Sequence, residues 1–156
     1  MSEQEEWHNS PVGVFDSGVG GLTVAREIMR QLPNERIVYF GDTARVPYGS
    51  KSRETVTKFS RQIVHFLETQ KVKAIVVACN TASAYALEDL EKEVEVPIIG
   101  VVQPGAIAAL AATRNKKIGV IATEATINSG IYNRYIEKSD SGVKIIGKAC
   151  PLFVQL

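Results

Sequence analysis

Short apolar runs alternate along this chain with longer stretches in which apolar residues return every third or fourth position. Residues 12–15, 36–40, 74–78, 97–102, 117–121 and 144–149 form the runs and read as strands. Between them, about 20–31, 52–70, 81–94, 104–113 and 125–138 read as helices. The second helix is the plainest: Val56, Phe59, Ile63, Phe66 and Leu67 make one apolar stripe, and Lys58, Arg61, Gln62 and Glu68 make a solvated face. Strands alternating with helices imply right-handed βαβ units, hence an α/β fold whose parallel sheet is covered on both faces as a three-layer sandwich. The pattern also repeats itself once. Val12-Gly13-Val14-Phe15, running into Asp16-Ser17, is echoed by Ile118-Gly119-Val120-Ile121, running into Ala122-Thr123, at an offset of 106 residues. Two related halves at that offset would put an equivalent of Cys79 near position 185, past residue 156. The expected organisation is a polar tail over 1–10, one complete α/β lobe over 11–100 and the beginning of a second, similar lobe over 101–156.

Composition narrows the partners. Hydrophobic residues at 45%, charged residues at 22% and a net charge of +1 describe a soluble globular chain with no electrostatic claim on nucleic acid or membrane surfaces. The first ten residues, MSEQEEWHNS, lack the apolar core of a signal peptide, and no apolar run approaches the roughly 20 residues that span a bilayer. Two cysteines without a secretion signal suit free thiols in a reducing cytoplasm.

The chemistry gathers where strands end. Ala74-Ile75-Val76-Val77-Ala78 stops at Cys79-Asn80-Thr81, and an alanine-rich helical pattern follows. A thiol there sits at the carboxyl end of a buried strand, where ligands collect in parallel sheets, and beside a helix start that favours thiolate. Equally, Cys79 reads as a packed core cysteine. After the first strand come Asp16, Ser17 and glycines at 18, 20 and 21, which let the backbone approach a ligand closely. Asp16 and Ser17 also read as plain helix caps. After the second strand, Pro47-Tyr48-Gly49 signals a turn. The three strand ends converge on one rim, whose hydroxyls and backbone N–H groups suit a small anion such as a carboxylate. The dinucleotide fingerprint fails at Thr23, no Walker sequence occurs, and His8 and His65 give neither metal-ligand spacing nor a protease partner for the thiol. Cys79 could instead act as a general base toward a carbon acid, with a second acid on the opposite face delivering a proton and inverting the centre.

Asp16-Ser17-Gly18-Val19-Gly20-Gly21-Leu22, Gly41-Asp42-Thr43, Pro47-Tyr48-Gly49 and Ala78-Cys79-Asn80-Thr81-Ala82 together resemble the glutamate racemases of the aspartate/glutamate racemase superfamily. Gly100-Val101-Val102-Gln103-Pro104-Gly105-Ala106, Gly119-Val120-Ile121-Ala122-Thr123 and Ala149-Cys150-Pro151-Leu152 extend the resemblance, which covers residues 11–156. It implies two similar lobes with substrate between them, and L- and D-glutamate interconverted without metal or other cofactor, supplying D-glutamate for peptidoglycan. It also implies two cysteines, one per lobe, that flank the α-carbon and exchange roles as base and acid. By motif, Cys79 matches the first catalytic cysteine. Asp16 and Ser17, Tyr48 and Gly49, and Asn80 and Thr81 match substrate-binding pairs, and Thr123 and Thr126 match second-lobe residues lining the same cleft.

The chain also departs from the family. The second catalytic cysteine belongs to a Cys-Thr-His motif that is absent here. Cys150 matches a different position, with no helix start expected behind it, and reads as a packed residue. The expectation is therefore a truncated racemase holding one half-site, inactive alone and prone to associate as a homo-oligomer through uncovered sheet surface around 118–121 and 145–149. The alternative is a non-catalytic carboxylate-binding or assembly module built from the first lobe.

Overall fold

The computed structural model describes residues 7–154; residues 1–6 of the polar tail lie outside the described residues. Residues 7–9 form a short helical turn, and Lys73 holds it by donating from Nζ to the His8 carbonyl at 2.8 Å.

Strands β1 (Val12–Asp16), β2 (Ile37–Gly41), β3 (Ala74–Val77) and β4 (Ile98–Gly100) form one sheet in the order β2-β1-β3-β4, with every pair parallel. Successive side chains leave a strand on opposite faces, so a parallel sheet buried on both sides is apolar at every position. Phe15, Ile75 and Val77 enter one core with Val56, Ile63 and Leu67 of helix α2 (Arg53–Thr69). Val14, Val76 and Ala78 enter the other, against Ala25 of helix α1 (Leu22–Gln31). That is the three-layer arrangement the alternating pattern implies.

Of the apolar stripe of α2, Val56, Ile63 and Leu67 are buried and Phe59 is half-buried, while Phe66 lies at its margin, against Phe40 at 5.3 Å between ring centroids. Ser52 caps this helix by accepting from the Thr55 N–H at 3.2 Å.

Three stretches differ from the sequence reading. The pattern over 81–94 is two helices, α3 (Asn80–Tyr85) and α4 (Leu87–Glu93), which meet at Ala86, the C-cap of the first and the N-cap of the second, with φ stretched to −115°. Strand 97–102 shortens to β4, since helix α5 (Val102–Ala112) begins two residues before Pro104; proline in a first turn has no helical hydrogen bond to lose. The pattern over 125–138 divides into α6 (Glu124–Asn128) and α7 (Ile131–Ser139) at Gly130, whose φ of 64° only glycine adopts without strain.

Strands β5 (Lys117–Ala122) and β6 (Lys144–Ala149) pair in parallel as a second, two-stranded sheet. Its inner face carries Ile118 and Val120 into a small core with Ala106, Ile136 and Val143. Its outer face leaves Ile121 and Ile146 exposed at 64% and 60%. A single 3-10 turn, Pro151–Val154, follows Cys150, where the sequence suggested no helical start. Among the described residues, no helix is long and apolar enough to cross a membrane, and no group of three His, Cys, Asp or Glu side chains could hold a metal ion.

Candidate active site

The carboxyl ends of β1, β2 and β3 open into a cleft of about 660 Å3. Asp16, Ser17, Tyr48, Gly49, Cys79, Asn80 and Thr81 border it from the first sheet, and Thr123 borders it from the second. The strand-end convergence expected from the sequence is therefore present.

Parallel pairing places these ends side by side: Asp16 stands opposite Gly41, and Ala78 N–H reaches the Phe15 carbonyl at 2.8 Å. Asp16 is buried and does more than cap a helix. Its Oδ2 accepts from Gly18 N–H at 3.1 Å and from Gly21 N–H at 3.0 Å, drawing the glycine loop around the carboxylate. A Cβ on Gly21 would meet the Asp16 Cβ at 2.6 Å, so the loop closes only with glycine there. Tyr39 fixes the far side of the loop by donating to the Gly18 carbonyl at 3.2 Å; burial, and then the Asp16 charge, push its phenol up to about 12.

Cys79 is the N-cap residue of α3, 5% exposed. Its thiol donates to Ser17 Oγ at 3.4 Å, and the Ala82 N–H donates to its sulfur at 3.4 Å. The helix start was expected to favour thiolate, but here burial dominates. Desolvation raises the thiol above its ordinary value, the Asp16 carboxylate adds to the rise, and hydrogen bonding with Ser17 and Ala82 only partly opposes it. Cys79 alkylation by iodoacetamide is therefore expected to keep accelerating with pH beyond the ordinary thiol range, because thiolate forms late. Asp16→Asn removes the opposing charge and should move that profile to lower pH; an unmoved or upward-moved profile, followed by mass spectrometry of the Cys79 peptide, would refute the charge effect.

Tyr48 is 1% exposed, and its hydroxyl donates to Asp42 Oδ2. Arg45 completes the shell around that buried carboxylate, with Nε at 2.8 Å from Oδ2 and its guanidinium 4.3 Å above the Phe59 ring. The phenol is thus committed to the loop, and its pKa is raised, first by burial and then by Asp42. This anchoring holds Gly49 against Thr123: the Gly49 carbonyl accepts from Ala125 N–H at 3.3 Å, and a Cβ on Gly49 would meet the Thr123 Cβ at 2.6 Å.

Three threonine hydroxyls close the other side. Thr81 Oγ1 lies 3.0 Å from Thr123 Oγ1, which lies 3.1 Å from Thr126 Oγ1. Thr123 also caps α6, accepting from the Thr126 N–H at 3.4 Å. Thr126 is buried beneath the other two rather than on the cleft surface. Cys150 stands apart: it is half-exposed rather than packed, and its thiol points to the Lys148 carbonyl at 3.7 Å.

Several contributors escaped the sequence reading. Val19, Val46, Val101, Phe153 and Val154 add an apolar lining, and Tyr132 donates to Asn80 Oδ1 at 2.8 Å from outside the cleft. Asp42 was visible only within Gly41-Asp42-Thr43. Among the described residues, no lysine or arginine lines the cleft, and Asp16 is its one charged group. The arrangement offers a carboxylate for a cationic group, hydroxyl, amide and backbone donors for anionic groups, and one thiol for proton transfer.

The family model described as Asp/Glu/Hydantoin racemase matches residues 12–151. The chain is 54% identical over 145 residues to a glutamate racemase of Oceanobacillus iheyensis, covering 93% of the chain and 53% of that relative. Among solved structures it is similar to a glutamate racemase isoform from Bacillus anthracis, with TM-score 0.91 and 49% identity over 94% of this chain and 55% of that one. It is also similar to the glutamate racemase from Francisella tularensis in complex with D-glutamate, with TM-score 0.86 and 47% identity over 94% of this chain and 55% of that one. The chain spans about half the length of the curated relatives it matches.

Proposed function

This chain belongs to the Asp/Glu/Hydantoin racemase family, and on that footing we propose that it carries one half of a glutamate-racemising site in which Cys79 exchanges a proton with the substrate α-carbon. The observation that carries the reading is the cleft's charge pattern: among the described residues, a single carboxylate and a single thiol stand among neutral donors. Asp16 would take the substrate ammonium group. Ser17, Asn80, Thr81, Thr123 and the Tyr48-Gly49 backbone would take its carboxylates, with Thr126 steadying the other two threonines. Pairing Asp16 with an ammonium would also remove the charge that opposes the Cys79 thiolate, so substrate binding itself would favour the base form. The thiolate would accept the α-proton, leaving an electron pair that a donor on the opposite face must quench to give the other enantiomer. In this reading neither metal nor other cofactor takes part, and the product serves peptidoglycan in the cytoplasm.

Titrating the isotopically labelled chain with D- and L-glutamate tests the binding half of this reading. Amide resonances of Ser17, Gly49, Asn80 and Thr81 should move together and saturate. No movement, or movement scattered over remote surfaces, would rule it out.

A binding module without catalysis is favoured by one observation, the burial of Cys79 at 5% exposure, which raises its thiol above the ordinary range. Self-association is part of the proposal as well, since Ile121 and Ile146 are exposed on the outer face of the second sheet, among Lys117, Lys144 and Lys148. Light scattering should show a dimer or larger species; a monomer at high concentration would exclude it.

A further inference from the structure

Asn80 borders the cleft at the first position of α3, where the family reading assigns it to substrate. Its side-chain amide could face the cleft either way. The carbonyl oxygen would repel a carboxylate, whereas the NH2 group would offer it two donors. The choice is made by whatever holds the other side of the amide. In this structure that group is the Tyr132 hydroxyl on α7, which donates to Asn80 Oδ1 at 2.8 Å. The Tyr132 ring packs beside Gly105 of α5, where an added Cβ would lie 3.4 Å from the hydroxyl oxygen, so the phenol reaches the amide from a fixed seat. Burial raises the phenol pKa, which keeps it a donor throughout the neutral range.

We propose that Tyr132 is a positioning residue: it holds the Asn80 amide by its oxygen and thereby turns the NH2 group toward a ligand carboxylate in the cleft. The link also joins the two sheets' helices at the binding site, because Asn80 follows β3 and Tyr132 lies between β5 and β6. Tyr132 itself does not line the cleft. Its importance for carboxylate binding rests on the reading given under Proposed function, while the orientation of Asn80 can be read without any ligand.

Tyr132→Phe keeps the ring against Gly105 and deletes only the hydroxyl. In the ligand-free chain, the Asn80 carbonyl carbon resonance should move as it loses a donor. If instead that carbon stays and only the side-chain nitrogen and its protons move, the amide is oriented the other way and the proposal fails. With D-glutamate as the probe, the dissociation constant should rise about three- to tenfold, the range expected for one neutral hydrogen bond. In an Asn80→Ala background the same substitution should have no further effect. An equal loss in that background would make Tyr132 merely structural and overturn the proposal, as would unchanged affinity in the single variant. Failure of the underlying reading shows separately, as absence of D-glutamate binding by the unsubstituted chain; the Asn80 resonances then still decide the orientation.

Discussion

Incubated with either enantiomer of glutamate, the 156-residue chain is expected to leave the circular dichroism signal unchanged while still binding the amino acid. Inversion requires a proton donor on the face of the α-carbon opposite the base. Among the described residues, Cys79 is the one thiol bordering the cleft. Cys150, the second free cysteine, is turned to the Lys148 carbonyl, and the remaining polar lining consists of hydroxyl, amide and backbone groups around Asp16. A threonine hydroxyl is far too weak an acid to replace a thiol, and general acid or base catalysis contributes about 10²–10⁴-fold when the group is suited to the task. Cys79 alone could return a proton only to the face from which it took one. Steady turnover by chain purified free of host racemase would sink this view and make one of the hydroxyls, or a second copy of the chain, the missing donor. Binding without turnover is the expected outcome.

The fold was largely legible because a parallel sheet buried on both faces leaves a strong trace: β1 and β3 are almost wholly apolar, and α2 carries its stripe at regular spacing. The break at Ala86 was not, since alanine is no turn residue, whereas the split at Gly130 was signalled by Asn128-Ser129-Gly130, a turn sequence set inside an otherwise helical pattern. The strand ends announced Asp16, Ser17 and Cys79 through small polar residues following apolar runs. Their energetics stayed hidden. The helix start behind Cys79 is a local feature that a sequence displays, whereas its desolvation depends on what packs over it from distant segments, and the second effect is the larger. The same limit applies to Tyr132, 52 residues from Asn80 in the chain and joined to it only by the fold. Nor does any local pattern show that the Tyr48 hydroxyl is spent on Asp42, leaving the backbone of its loop nearer the cleft's business than its phenol.

Phe15→Ala should destabilise the chain more than any surface change and should remove glutamate binding with it. Phe15 is wholly buried on β1, between Phe40 of β2 and Val77 of β3, in the same core as Tyr48, Val56 and Leu67. Truncating a buried phenylalanine costs about 3–5 kcal/mol, combining lost transfer energy with the cavity left behind. Against a typical total stability of about 5–15 kcal/mol, that removes a large share. The position makes the loss functional as well. Asp16 follows directly, and the loop that presents Gly49 is anchored through Tyr48 in the core Phe15 helps to fill. Ile99→Ala supplies the contrast: Ile99 is 60% exposed, and its truncation should change stability by no more than about 0.5 kcal/mol. Urea denaturation of both variants measures the difference directly. A loss below about 1 kcal/mol for Phe15→Ala would mean that the first core closes around the gap. In that case the strand ends would owe their positions to the hydrogen-bonded loops around Asp16 and Asp42 rather than to the packing beneath them.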